Sequence, residues 1–281
     1  MTMSAVPSSP AAPVDDGRPK PVPGAARDRR LKLAALRLAL LVALLAIWQV
    51  ASLGAPPFVL PSPMRVWEAW TALVASPTFW KDLGVTFERI VTGFALAAVF
   101  GVAIGLILGA SKTLGEFFEP VLTLITTVSS AIWAIFALIW FGLSNWTTIF
   151  VVFMTAMPLI LTTVWQGTRT VNADFVELAR TFRMSQAQVL AKIYLPTILP
   201  LFFSSARLAF GFGARVSLVA ETLGASSGVG VRLKQAADLL QTDQVFAWTL
   251  TLVALMLALE ALVLKPLEAR LFRWKKQAEA S

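Results

Sequence analysis

Cysteine and histidine are both absent from these 281 residues. The first absence removes disulfides, thiolate nucleophiles and Cys-based zinc sites. The second removes Ser-His-Asp and Cys-His catalysis, imidazole metal ligands and a histidine pH switch. Charge is scarce as well: 14% of the residues are charged, where a soluble domain carries about 25%. Apolar residues take up the difference, at 57% of the chain. Too few polar side chains are left to cover the helices of a soluble protein of this length. The composition is that of a chain built for a bilayer. A net charge of +8 does not point to nucleic acid, because a nucleic-acid binder gathers its cations on one soluble face. Here they fall at the ends of apolar runs.

Residues 1–30 are rich in Pro, Ala and charge and lack periodicity, so they are expected to be a disordered cytoplasmic tail. The first apolar run starts too late for a secretory leader, and no small-residue cleavage site follows it. Six apolar segments come next, at about 36–53, 83–110, 120–141, 147–165, 199–223 and 246–264. Each approaches the roughly 20 apolar residues a helix needs to cross a bilayer core. The reading is an all-α polytopic membrane protein with six transmembrane helices, residues 31–281 forming one transmembrane domain.

Cations set the orientation. With the N-terminus inside, the inner side holds Arg18, Lys20, Arg27, Arg29, Arg30, Lys32 and Arg37 in the tail. It also holds Lys112, then Arg169, Arg180, Arg183 and Lys192, and finally Lys265, Arg270, Arg273, Lys275 and Lys276. The outer side holds only Arg65, Lys81, Arg232 and Lys234, while Arg89, Arg207 and Arg215 lie within or near apolar spans. This asymmetry places both termini in the cytoplasm. On the outer side, Ser62 and Pro63 mark a helix start, followed by Trp67 and Trp70 at interfacial spacing.

The second apolar segment carries Gly93, Ala97, Gly101, Gly105 and Gly109 at intervals of four, a smooth stripe for close helix packing within the subunit. It ends in Gly109-Ala110-Ser111-Lys112-Thr113, which faintly suggests a phosphate loop. That motif needs Gly directly before Lys and a strand-to-helix turn. Ser111 holds that place at the end of a helix, so the chain has no ATP-binding motif of its own.

The longest inner loop, 172–196, joins the fourth and fifth segments. Phe175, Val176, Ala179 and Phe182, then Val189, Leu190 and Ile193, recur at spacings of three and four. They predict two short amphipathic helices with a turn at 183–185. Leu195-Pro196 is expected to stop the second one before the fifth crossing. The frame Glu177-Leu178-Ala179, then Arg183, then Ile193-Tyr194-Leu195-Pro196 resembles the Glu-Ala-Ala signature of ABC importer permeases. Arg183 stands where that signature has glycine, and Arg183 disfavours the left-handed turn that glycine would allow. The resemblance is nearest to the nitrate/sulfonate/taurine branch. Leu60-Pro61-Ser62-Pro63, Thr86-Phe87-Glu88-Arg89 with Gly93-Phe94, 138–142, and Ala220-Glu221 with Gly228-Val229-Gly230 carry it as well. Ser129-Ser130-Ala131-Ile132-Trp133 departs from it, since that branch has prolines there that would break or kink the third helix.

The resemblance implies a type I ABC importer permease fold in a bacterial inner membrane. It implies a pair of permease subunits, two cytoplasmic ATPases that bind ATP and Mg, and a periplasmic or lipid-anchored binding protein. No cofactor, catalytic residue or metal is expected on this chain. Glu177, Ala179, Arg180, Arg183, Leu195 and Pro196 would couple it to the ATPase. Charged residues deep in a membrane usually have a function, so Arg207, Arg215 and Glu221 are candidates for the substrate pathway, with a structural interhelix ion pair as the alternative. Ser129, Ser130 and Trp133 are further pathway candidates. An ion-coupled secondary transporter, which would need inverted repeats and mid-membrane acids, and a non-transporting membrane anchor are the other readings.

Overall fold

The computed structural model describes residues 25–261 and 266. The expected tail at 1–30 and the C-terminal cations therefore fall largely outside the described residues. All regular structure among them is helical. Two compact units divide the chain near Ala51. The first is represented by helix α1 (Ala25–Leu53), apolar and exposed over Lys32–Leu53.

The second unit begins with α2 (Pro63–Val74), where the Ser62 hydroxyl accepts the Arg65 N–H as an N-cap. Helix α3 (Pro77–Ala110) is followed by α4 (Lys112–Thr127), α5 (Ser130–Phe141) and α6 (Asn145–Arg169). Then come α7 (Ala173–Thr181), α8 (Gln186–Val189), α9 (Leu195–Gly224), α10 (Val229–Asp238) and α11 (Thr242–Leu259). Four helices are long and apolar enough to cross a membrane: α1, α3, α6 and the rod that contains α8 and α9. The bent pair α4–α5 is long and apolar enough only when its two helices are taken together, and α11 is a shorter apolar helix.

The core is α3 against α6 and α6 against α9. The small-residue stripe explains the first contact. A Cβ added to Gly93 would stand 2.8 Å from Val152, and one added to Gly105 would stand 2.9 Å from Val164. The stripe is thus used inside the subunit, where backbones approach closely because side chains are missing.

Two expectations need correction. The segment 120–141 is not one helix, because α4 and α5 meet at 91°. No proline is needed for the break. Val128 is extended, and Ser129 caps α5 by accepting the Ala131 N–H. A serine at this place offers the next helix a start of its own. Conversely, Leu195-Pro196 does not stop the helix that precedes it. Residues 190–194 form a π-helical turn, and the axis runs on from Gln186 to Gly224. Proline lacks an N–H and its ring clashes with the carbonyl four residues back. The wider π turn absorbs that clash without a break.

Candidate functional site

The coupling segment begins with α7. Phe175 (60% exposed), Leu178 and Phe182 (74%) stand outward from it, whereas Ala179 is buried. The exposed three share a 540 Å³ pocket with Met184, Lys192, Ile193 and Pro196. An apolar face this open is left uncovered by the described residues of its own unit. Ala179, expected to couple to an ATPase, is 4% exposed and lines the floor of the same pocket. Only the backbone of Arg180 is described.

Arg183 reverses the expectation made for it. It adopts the left-handed conformation, with φ at +53°. The Met184 N–H donates to the Ala179 carbonyl at 3.0 Å, closing the helix end in the six-to-one pattern of a glycine cap. The turn therefore keeps the shape that glycine would give it, at the conformational cost of a Cβ. Ser185 then opens α8 through a capping box: its hydroxyl accepts the Gln188 N–H while the Gln188 side chain accepts the Ser185 N–H. The hairpin is closed at both ends of its turn, and its second arm is the rod that continues as α9.

Behind α7, Val176 and Glu177 line a 670 Å³ cleft with Lys112, Arg169 and Tyr194, at the end of the bundle where α3 and α6 finish. The Arg169 guanidinium stacks over the Trp165 ring at 4.8 Å.

The pathway candidates separate into three places. Ser129, Ser130 and Trp133 line a 380 Å³ cleft at the α4–α5 break, with Thr126, Thr127, Thr155, Pro158 and Phe212. Arg207 and Arg215 line a different cavity of 170 Å³ between α9 and α11, where Arg207 lies 3.9 Å from the Glu260 carboxylate.

Glu221 lies on neither wall. It is 1% exposed and enclosed by polar partners. The Arg89 guanidinium donates to it at 2.8 Å, the Thr86 hydroxyl at 2.9 Å, and the Gly230 N–H at 2.8 Å. Arg89 also donates to the Asn145 side-chain carbonyl at 2.6 Å and to the Ser227 carbonyl at 2.7 Å. Thr86 accepts the Val229 N–H, and Asp82 accepts from the Gly228 N–H and, at 2.6 Å, from Arg232. Gly228 sits at φ +110°, and a Cβ there would stand 2.7 Å from the Glu221 carboxylate. This network joins α3, the start of α6, α9 and the turn into α10. It is the interhelix ion pair that was the alternative for Glu221. Sequence reasoning missed Asp82, Thr86, Asn145 and Ser227. Part of the signal was present: Arg89 inside an apolar span needs an anionic partner, and Glu221 was an acid placed to serve.

The described residues thus combine a bent helix pair, a hairpin of exposed apolar residues continuous with a long apolar helix, and several further apolar helices. The chain belongs to the family of binding-protein-dependent transport system inner membrane components, whose model matches residues 97–271. It is 30% identical to the putative aliphatic sulfonates transport permease protein SsuC of Bacillus subtilis, over 84% of this chain and 86% of that one. It is 28% identical to the taurine transport system permease protein TauC of Escherichia coli, over 87% and 91%. It is 33% identical to the nitrate import permease protein NrtB of Synechococcus elongatus, over 66% and 70%. Among solved structures, a chain of the MetNI methionine ABC transporter in an inward-facing conformation aligns with a TM-score of 0.57. That alignment has 17% identity and covers 68% of this chain and 98% of the other, so the two share a fold. The chain is a multi-pass membrane component of an ABC transport system.

Proposed function

We propose that this chain is the pathway-forming permease of an ATP-driven bacterial importer, acting as one of a pair with both termini in the cytoplasm. A separate pair of ATPases docks on residues 172–196, and an external binding protein delivers a small anionic solute. The observation that carries this reading is the hairpin of α7 and α8. It combines an uncovered apolar face with a rigid connection to a membrane-spanning rod. A partner seated on Phe175, Leu178 and Phe182 can push or pull α9 directly, because 186–224 is a single helix of 39 residues. Sulfonates, taurine and nitrate, named for the relatives, each carry an oxyanion group, and the chain places Arg207 and Arg215 on its fifth apolar segment. The pathway then runs beside the cleft of Ser129, Ser130 and Trp133 and the arginine-bearing side of α9.

Glu177 stands at the base of the docking hairpin. In vesicles holding the full complex, Glu177→Lys is expected to abolish ATP-driven uptake and to weaken retention of the ATPase during purification. Unchanged uptake together with unchanged retention would remove the docking assignment.

A further inference from the structure

Helix α9 has two unlike sides. One side packs on α6 through Ala206, Ala209, Gly213 and Ala220. The other presents Leu201, Leu208, Phe212, Arg215, Val219 and Leu223, all exposed and spaced by three, four and seven. They form a single stripe on the helix. Apart from Arg215, that stripe could face lipid. Arg215 makes this costly, because it sits near the middle of the apolar run and carries a fixed positive charge. It lies nine residues, about 14 Å, from the end of α9. Among the described residues no hydrogen bond or ion pair reaches Arg215. Arg207 differs, because Glu260 lies beside it. The polar cleft at the α4–α5 break also opens against this stripe, through Phe212, one turn from Arg215.

We infer that the Arg215 stripe faces a water-filled lane, and that Arg215 is its charge-selecting residue, offering one guanidinium to a passing oxyanion of carboxylate, sulfonate or nitrate type. Arg207 contributes little to this selection, its charge being answered by Glu260. The planar guanidinium suits the choice, since it meets two oxygens of an oxyanion at once. The inference rests on the pathway reading above and narrows it to one residue.

The absence of cysteine makes the test clean. Phe212→Cys is introduced into the full complex in native membranes and labelled with an anionic and with a cationic methanethiosulfonate, both water-soluble. The account predicts labelling by both, with the anionic reagent favoured. Adding Arg215→Gln lowers the anion-to-cation rate ratio by about tenfold, whereas Arg215→Lys holds it within about threefold. An Arg215→Gln ratio within about twofold of the parent would overturn the inference. So would labelling confined to a membrane-permeant maleimide, which would put the stripe in lipid. Loss of ATPase docking would leave the ratio unmoved, so this result and the docking result fail separately.

Discussion

The network around Glu221 and the coupling hairpin around Arg183 solve opposite problems. At the first, charged and polar side chains are sealed away and satisfied by one another: Glu221, Arg89, Thr86, Asn145 and the Gly228–Gly230 turn. At the second, apolar side chains are left uncovered, with Phe182 74% exposed. A closed polar cluster resists rearrangement, because opening it leaves a charge unpaired in a dry place. An open apolar face invites a partner. The molecule thus holds α3, α6, α9 and α10 together at one place and presents a handle at another, with the single axis of 186–224 connecting them.

Breaking the sealed network should have the largest effect. Arg89→Ala strands the Glu221 carboxylate and is expected to cost about 3–5 kcal/mol, read as a lower unfolding temperature in detergent and a lower yield of folded protein. Glu221→Gln, which keeps an acceptor for the Gly230 N–H, should cost less than Arg89→Ala in the same assay. Gly228→Ala comes next. Its φ of +110° and the carboxylate in the path of a Cβ give an expected loss of about 1–3 kcal/mol. At the coupling hairpin the sign reverses. Arg183→Gly removes a Cβ from a left-handed residue and should stabilise the turn by about 1 kcal/mol, seen as slower amide exchange at Met184. Phe182→Ser should leave stability within about 0.5 kcal/mol while reducing ATPase retention. A large stability loss there would erase the contrast between the two regions.

These regions were not equally legible in the sequence. The hairpin could be read because its information is local: the apolar spacing and the turn at 183–185 lie within 172–196. Even so, the conformation of Arg183 could not be foreseen from residue preference, since closure by the Met184 N–H outweighs the penalty on a side chain. The α4–α5 break was hidden in a largely apolar run with no proline at 128–130, where Ser129 and Ser130 were the local marks. The reverse error came at Pro196, where a helix breaker was absorbed by a π turn. The Glu221 network joins residues more than 130 positions apart. Its pieces, Thr86 to Arg89 and Gly228 to Gly230, could be noticed in the chain as likenesses to a family. Only the fold shows that they form one object.

The account turns on the rod that joins docking to the membrane. Inserting two glycines between Tyr194 and Leu195 would interrupt it while leaving α7 and its turn intact. The direct measurement is ATP-driven uptake by the reconstituted complex, with ATPase retention recorded on the same sample. The account predicts that the ATPase stays bound and uptake is lost. Uptake at the parent rate with the insertion in place would contradict it.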